Sequence, residues 1–300
     1  MRQSCTVGIK KSTLCRVFDA CPAVSSRLPR VSTTDDLLAL AQAAGREAGE
    51  LLSARFRLPA TGVDAKSTAT DLVSDADRDA EALLRERILA ARPGDAILGE
   101  EQGEQSGRSG FRWVIDPLDG TINYLFGLPG WSVSVACEDS QGVLIGVVHD
   151  PLRDETFTAV RGGGVSRNGQ PVAVSGAASL QTALIATGFS YRRDERAIQA
   201  RALAMVLPAV RDIRRLGSAA LDLAYVACGR FDGYYETGPS HWDLAAGSLL
   251  VTEAGGVVSP LAGVGSSGDG VVAAGQALHD SLSEMVDAAL HRSTQENSLH

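Results

Sequence analysis

The spacing of apolar residues changes along the chain from a helical to a strand-like period. Over residues 34–56 and 74–91, apolar side chains recur every three or four positions, which predicts two amphipathic helices. Ser74 and Asp77 have the spacing of a capping box at the start of the second helix, and Pro93-Gly94 follows its end. We therefore expect ordered structure to begin with a pair of helices.

From residue 96 onward, short apolar runs alternate with turn sequences. The runs predict strands at 96–98, 111–115, 131–137, 143–149 and 155–160. Gly103–Gly110 is predicted as an exposed polar loop between the first two strands. Gly162-Gly163-Gly164 and Asn168-Gly169 are typical of a hairpin rather than of a nucleotide-binding loop. Consecutive strands with short turns indicate an antiparallel meander.

After residue 182, predicted strands and helices alternate. The strands are expected at 183–187, 213–216, 231–236 and 271–274, and the helices at 195–210, 219–228, 242–254 and 278–291. This alternation favours a mixed or mostly parallel sheet with helices on its faces. The chain is thus predicted to combine an α+β domain over 34–178 with an α/β domain over 179–300.

Composition narrows the class of protein. The 300 residues carry a net charge of −8, which disfavours non-specific nucleic-acid binding, and no apolar run reaches the roughly 18 residues of a membrane span. The five cysteines form no CxxC pair, so a cytoplasmic protein is expected. Residues 1–33 are basic and nearly free of acids, which suggests either a disordered extension or, over residues 1–30, an organelle-targeting peptide.

Acidic residues lie where several predicted elements end or begin. Glu100 follows one strand, Asp116 and Asp119 follow the next, and Asp243 begins a helix. Alone, each of these sequences is an ordinary turn, loop or helix cap. Together, carboxylates at strand ends and helix starts are placed to converge in one cleft. Asp71 and Asp77 flank the start of the second helix and belong to the same candidate set.

This set of oxygen ligands suits a hard cation such as Mg²⁺, which also binds phosphate oxygens. Asp116 could bridge two ions, and the Leu118 carbonyl could complete the coordination. Gly120 and Thr121 could offer backbone N–H groups to an anion. The pattern indicates chemistry on a phosphate. His241 has no accompanying serine motif, so a Ser-His-Asp hydrolase is disfavoured.

Three segments resemble the signatures of the inositol monophosphatase family. They are Gly99-Glu100-Glu101, the run from Asp116 to Tyr124, and the run from Trp242 to Gly247. The similarity covers roughly residues 34–292 in order and spacing. It implies a Mg²⁺-dependent, lithium-sensitive phosphatase with a layered αβαβα sandwich fold, which forms a homodimer and acts on a small-molecule phosphate monoester.

The resemblance also implies roles for individual residues. A first Mg²⁺ would be bound by Glu100, Asp116 and the Leu118 carbonyl. A second would be bound by Asp116, Asp119 and Asp243, and a third, weaker ion by Glu100. Asp77 would pair with the Thr121 hydroxyl and, together with Glu100, deprotonate the attacking water. Lys66 and Asp71 match a mobile loop. The residues expected to contact the substrate are Asp119, Gly120, Thr121, Ser218, Ala219, Glu236 and Asp243.

The expected substrate is myo-inositol monophosphate. Ile122-Asn123-Tyr124 resembles the form found in inositol monophosphatases, whereas nucleotide phosphatases and some histidinol-phosphatases carry lysine at the position of Ile122. Histidinol-phosphatase is the second expectation and fructose-1,6-bisphosphatase the third. A non-catalytic scaffold is a further alternative, but such a protein should have lost at least one metal carboxylate.

Overall fold

The computed structural model describes Met1, residues 34–264 and residues 268–297. The targeting or disordered segment expected over residues 1–33 therefore lies outside the described residues, apart from Met1. From Thr34 onward the described residues form one compact unit. The division at residue 178 stays a prediction. In the described residues, no helix combines the length and apolar character needed to cross a membrane.

The elements follow the predicted order. The helices are α1 (Thr34–Arg55), α2 (Asp75–Ala91), α3 (Thr121–Leu125), α4 (Arg193–Val206), α5 (Ala219–Ala227), α6 (His241–Glu253) and α7 (Gln276–Asn297). The strands are β1 (Asp64–Ala65), β2 (Leu72–Val73), β3 (Ala96–Gly99), β4 (Gly103–Gln105), β5 (Arg112–Asp119), β6 (Ser132–Asp139), β7 (Gly142–Asp150), β8 (Glu155–Val160), β9 (Gly164–Arg167), β10 (Gln170–Pro171), β11 (Leu184–Thr187), β12 (Asp212–Arg214), β13 (Gly233–Glu236), β14 (Gly256–Leu261) and β15 (Gly270–Gly275). Short 3₁₀ turns occupy Leu180–Thr182 and Leu207–Ala209.

The first two helices cover one face of an eight-stranded sheet. On α1 the fully buried apolar residues are Leu37, Ala41, Ala44, Ala48 and Leu52, which recur at helical spacing. These side chains and those of α2 pack on residues of β5, β6 and β7 in one apolar cluster. The capping box predicted at Ser74 and Asp77 is present at the start of α2. Periodicity therefore identified both helices and their buried faces.

The eight strands are arranged in the order β10-β9-β8-β7-β6-β5-β3-β4. Each neighbouring pair from β5 to β10 is antiparallel, which confirms the predicted meander over these strands and the hairpin at Asn168-Gly169. The antiparallel expectation is wrong for the first predicted strand, because β3 pairs parallel with β5. The loop expected over Gly103–Gly110 is only partly correct, because its first three residues form the edge strand β4, which pairs with β3. Polar edge strands of this length carry little sequence signal.

A second sheet has the order β12-β11-β13-β15-β14. It is mixed: β11 pairs parallel with β12 and β13, whereas β15 pairs antiparallel with β13 and β14. Strand β14 was not predicted. Helices α5 and α6 pack together and lie between the two sheets, in a cluster that includes residues of both. Helices α4 and α7 cover the outer face of the second sheet. The result is the expected αβαβα layered sandwich.

Candidate active site

The predicted site residues line a single cleft of about 480 Å³. Its wall includes Lys66, Asp71, Glu100, Asp116, Leu118, Asp119, Gly120, Thr121, Ser218, Ala219, Glu236 and Asp243. Asp77 lies behind this wall, hydrogen-bonded to Thr121. Residues from both sheets and from the loop at Lys66 thus meet at one place. The sequence analysis predicted such a convergence because the acids lie at strand ends and helix starts.

The end of β5 provides two of the acids. The pairing of β5 with β6 shifts register between Asp116 and Asp119, so the strand bulges where these residues occur. Within the bulge, the backbone N–H of Leu118 donates to Asp116 Oδ1 at 3.0 Å, while the Leu118 side chain is buried in the core. The Thr121 hydroxyl oxygen lies 3.0 Å from the Leu118 carbonyl oxygen, which therefore competes with the nearer Asp77 Oδ1 for the single hydroxyl proton. The bulge therefore fixes both carboxylates and one carbonyl.

Gly120 makes the turn from β5 into α3 possible. Its φ is +98°, and a Cβ at this position would lie 2.8 Å from the Gly130 carbonyl oxygen. Both the backbone conformation and the available space therefore require glycine. The five-residue helix α3 then begins at Thr121.

Asn123 and Tyr124 in α3 have structural partners. Asn123 Nδ2 donates to the Gly130 and Leu216 carbonyls at 2.6 and 2.7 Å, and the Tyr124 hydroxyl donates to the Leu52 carbonyl at 2.8 Å. Among the described residues that line the cleft, neither Asn123 nor Tyr124 is found. Their value for narrowing the substrate therefore rests on the family resemblance and not on a contact in the cleft.

The first turns of two helices donate hydrogen bonds to acids of the cleft. Asp119 Oδ2 accepts hydrogen bonds from the Ser218 hydroxyl at 2.6 Å and from the Ala220 N–H at 2.7 Å, at the first turn of α5. Asp243 Oδ2 accepts from the Ser240 N–H at 2.6 Å, at the first turn of α6. Helix N-termini favour negative charge, so these positions stabilise carboxylates that are otherwise crowded together.

Asp77 and Thr121 form the predicted pair. The Thr121 hydroxyl donates to Asp77 Oδ1 at 2.8 Å, and both side chains are buried. The other oxygen of Asp77 accepts from the backbone N–H and the hydroxyl of Ser74 at 2.9 and 2.6 Å. The capping box of α2 therefore fixes the orientation of the carboxylate that contacts Thr121.

The loop between β1 and β2 carries Lys66 over the cleft. Lys66 Nζ lies 2.7 Å from Glu100 and 2.5 Å from Glu101. Burial lowers the pKa of Lys66, but its contacts with these two acids more than compensate, so the pKa is raised above its ordinary value. Burial raises the pKa of Glu101 to about 7 in spite of the hydrogen bond from Lys66. Asp71 closes the loop by accepting from the Ser67 hydroxyl at 2.6 Å.

Glu81 supports the turn that presents Glu100, a role that sequence reasoning did not identify. Its buried carboxylate accepts from the backbone N–H groups of Glu101 and Gln102 at 2.7 and 3.0 Å, and pairs with Arg85 at 2.8 Å. Helical spacing placed Glu81 beside the buried face of α2, but the turn it contacts lies about twenty residues later. A single sequence does not reveal such a contact.

The acids of the cleft destabilise one another's charged forms. Burial, followed by repulsion from neighbouring acids, raises the pKa of Asp116 well above its ordinary value. The pKa of Asp243 is raised for the same reasons, mainly burial and repulsion by Asp119 and Glu100. Burial raises the pKa of Asp119 to about 7 although Ser218 and Ala220 donate to it. Unless cations compensate their charge, buried acids this close together tend to take up protons.

The donor set fits divalent cations such as Mg²⁺. The described residues include no group of three or more His, Cys, Asp or Glu side chains already arranged as a closed ligand set. The acids are nevertheless close enough to shift one another's pKa, and they are oxygen ligands at a single cleft. A cation bound here would offset the negative charge of these carboxylates.

The opposite wall of the cleft contains Glu236 at the end of β13. The Tyr234 hydroxyl donates to Glu236 Oε2 at 2.6 Å. Burial raises the pKa of Glu236, while Tyr234 and Arg215 oppose this shift. Gly188 is needed beside it, because a Cβ there would overlap the Glu236 carboxylate. Arg215, Tyr191 and Asp222 also line this wall, and sequence reasoning did not identify them.

The fold and the acidic cleft are those expected of a metal-assisted phosphatase of the layered sandwich class. The profile of the inositol monophosphatase family matches residues 33–295. The chain belongs to this family of phosphatases.

Similar proteins carry two kinds of name. A Pseudomonas aeruginosa protein named Nus factor SuhB is 46% identical over 234 residues, covering 76% of this chain and 86% of the relative. A Mesorhizobium japonicum inositol-1-monophosphatase is 43% identical over 220 residues, covering 73% and 80%. The crystal structure of the extragenic suppressor protein SuhB from Bartonella henselae superposes with a TM-score of 0.77 at 37% identity, covering 85% of this chain and 98% of that one.

Proposed function

We propose that this protein is a Mg²⁺-dependent phosphomonoesterase that hydrolyses myo-inositol monophosphate to inositol and phosphate. The observation that carries the proposal is the convergence of Glu100, Asp116, Asp119 and Asp243 on one cleft, where burial and mutual repulsion raise the pKa of the three aspartates. A buried acidic set of this kind is poorly suited to bind a phosphate anion unless cations neutralise it.

The proposed metal ligands are those that the family resemblance implies. Glu100, Asp116 and the Leu118 carbonyl would hold one ion, and Asp116, Asp119 and Asp243 a second, with a weaker third at Glu100. When bound, Mg²⁺ neutralises phosphate charge, stabilises the leaving oxygen and lowers the pKa of a coordinated water. Ser218, Ala220 and Ser240 hold two of these carboxylates in place by direct hydrogen bonds.

The protein supplies the proton acceptor for the attacking water. Asp77 Oδ1 accepts the Thr121 proton, which leaves the Thr121 oxygen free to accept a hydrogen bond from water in the cleft. The water proton can then pass through Thr121 to Asp77, with Glu100 orienting the water. As the water oxygen bonds to phosphorus, the ester P–O bond breaks, and the departing inositol oxygen takes a proton from a second water of the solvent-filled cleft.

The alcohol part of the substrate would lie against Ser218, Ala219 and Glu236. The Glu236 carboxylate is held by Tyr234 and can accept hydrogen bonds from ring hydroxyls. The relative named inositol-1-monophosphatase supports this substrate, whereas the relatives named Nus factor SuhB carry no substrate in their name. Histidinol phosphate and fructose 1,6-bisphosphate, the second and third expectations from the sequence, are the competing substrates.

Phosphate release from inositol 1-phosphate, with Mg²⁺ and with EDTA, tests the proposal. We expect Mg²⁺-dependent turnover and, for Asp116→Asn, a loss of well over tenfold in kcat, because one carboxylate shared by two ions is removed. Glu86→Gln changes an exposed acid on α2 and should leave turnover unchanged. A loss below tenfold for Asp116→Asn contradicts the mechanism.

The substrate is decided by comparing kcat/KM for inositol 1-phosphate, histidinol phosphate and fructose 1,6-bisphosphate, since selectivity lies in differential transition-state binding. The homodimer, the lithium sensitivity, the cytoplasmic location and the lack of a nucleic-acid partner stay predictions. Absence of both turnover and Mg²⁺ binding by calorimetry would favour the non-catalytic scaffold.

A further inference from the structure

Asp222 is a buried acid at the cleft that has no assigned role. It lies in the first turns of α5, where its backbone N–H donates to the Ser218 carbonyl at 3.0 Å. The residue is 1% exposed, yet it lines the cleft together with Glu236 and Arg215. Its Oδ1 atom is buried and has no hydrogen-bond partner among the described residues.

An unpartnered oxygen on a buried carboxyl destabilises the fold. Elsewhere in this protein, buried acids are satisfied by several donors: Asp119 accepts from Ser218 and Ala220, and Asp77 from Ser74 and Thr121. Groups left unsatisfied in native structures are uncommon and call for a functional explanation. Because Asp222 borders the cleft, a bound molecule can supply the missing partner.

The surroundings of Asp222 favour its protonated form. Burial, then repulsion by Glu236 and Asp119, raises the pKa of Asp222 well above its ordinary value, and Arg215 opposes this only in part. A protonated carboxyl offers one O–H donor and retains acceptor capacity, whereas an ionised carboxylate only accepts. Because Glu236 lines the same cleft, the two groups offer a bound molecule a donor and an acceptor.

We propose that Asp222 is a specificity-determining residue, which binds a hydroxyl group of the alcohol part of the substrate next to the hydroxyl bound by Glu236. The inference rests on the proposed function, because it assigns the substrate class as polyol monophosphates that carry neighbouring hydroxyl groups. Each hydroxyl can both donate and accept, so a donor and an acceptor side by side match such a pair.

Two variants measure this contact. Asp222→Leu removes all hydrogen bonding at similar size, and Asp222→Asn keeps a donor and an acceptor in the same space. Each is assayed on inositol 1-phosphate and on p-nitrophenyl phosphate, whose leaving group has no other hydroxyl. For Asp222→Leu we expect KM for inositol 1-phosphate to rise about tenfold with little change in kcat, and p-nitrophenyl phosphate hydrolysis to stay within about twofold. Asp222→Asn should keep the ratio of the two kcat/KM values within about threefold of the wild type.

Thermal unfolding separates this role from a structural one. Since Asp222→Leu removes an unsatisfied buried group, its Tm should rise. The matched control is Asp232→Asn, because Asp232 accepts from the Ser175 hydroxyl and the Leu184 N–H at 2.6 and 2.7 Å. This control should lower Tm and leave the substrate ratio unchanged.

The assignment is overturned if Asp222→Leu leaves the ratio of the two kcat/KM values unchanged, which includes equal losses on both substrates. It is also overturned if Asp222→Asn is as impaired as Asp222→Leu. Glycerol 1-phosphate, whose two free hydroxyls are on adjacent carbons, serves as a second polyol substrate in the same comparison. If the wild type hydrolyses it but not inositol 1-phosphate, the proposed substrate is wrong, and the effect of Asp222→Leu on glycerol 1-phosphate then decides the Asp222 contact.

Discussion

At the scale of single residues, Asp77 and Asp243 each belong both to a helix start and to the cleft. Asp77 caps α2 through Ser74 with one oxygen and contacts Thr121 with the other, and Asp243 accepts from Ser240 at the start of α6. The third position of a helix presents a carboxylate to free backbone N–H groups. The same hydrogen bonds that begin the helices thus fix acids of the candidate active site.

Thr121 gives a direct test of the proton path. Thr121→Val removes the hydroxyl but keeps the shape of the side chain, so kcat for phosphate release should fall about 100-fold or more while KM changes little. Thr121→Ser keeps the hydroxyl next to Asp77 and should retain most of the activity. The measurement is steady-state kinetics at saturating Mg²⁺. If both variants lose the same amount of kcat, the hydroxyl does not transfer the proton.

Which site residues could be predicted depended on how their role is encoded. Glu100, Asp116 and Asp243 lie at strand ends or helix starts, so local sequence indicated their meeting in a cleft. Asp222 lies inside the apolar sequence of α5, and only the packing of α5 against β13 shows that Asp222 lines the same cleft as Glu236. Its role depends on a neighbour from another element, which one sequence cannot reveal.

At the scale of elements, long periodic segments were predictable and short edge strands were not. Helices α1 and α2 and strands β5 to β8 were identified because their buried faces repeat over many residues. The two-residue strands β1 and β2 and the polar strand β4 are too short for a repeat to show. Strand β14 contains Pro260 and is only partly buried, so its sequence does not favour a strand.

The packing of α1 on β7 predicts a pH dependence of stability. His149 in β7 is 5% exposed and lies against Gly49 of α1, where a Cβ would come within 2.7 Å of the imidazole ring. Burial, with help from Arg46, lowers the pKa of His149, and Asp150 and Asp154 oppose the shift only in part. The folded state therefore favours the neutral ring. The contribution of His149 to the free energy of unfolding is complete above pH 6.5, the approximate pKa of histidine in the unfolded chain. This contribution is lost as the pH falls from there towards the lower pKa of His149 in the folded protein.

Urea unfolding between pH 7.5 and 5 measures this effect. Relative to His149→Gln, the wild type should lose up to about 1.4 kcal/mol of unfolding free energy per pH unit below pH 6.5. Acids with raised pKa act in the opposite direction over this range, and the comparison with the variant cancels their contribution. His291→Gln changes an exposed histidine and should follow the wild type. Parallel pH curves for the wild type and His149→Gln would contradict the assignment.

At the scale of the whole molecule, the layers of the sandwich meet at the cleft. Strand β5 of the first sheet brings Asp116 and Asp119, and helix α6 between the sheets brings Asp243. Strand β13 of the second sheet adds Glu236. The fold thus concentrates negative charge where its layers join, and this arrangement reduces the stability of the metal-free protein.

Binding of Mg²⁺ should therefore stabilise the whole protein. A ligand that binds only the folded state at a hundredfold above its Kd adds about 2.7 kcal/mol of unfolding free energy. Thermal melts in EDTA and in increasing MgCl₂ should show Tm rising by several degrees, whereas NaCl at equal ionic strength, which only screens the charges, should raise Tm less. Asp116→Asn relieves repulsion, so its Tm in EDTA should equal or exceed that of the wild type, and its response to Mg²⁺ should be much smaller. Glu86→Gln should respond like the wild type, because this acid is exposed on α2. A Mg²⁺ response of the same size in Asp116→Asn and the wild type would show that the ions bind elsewhere.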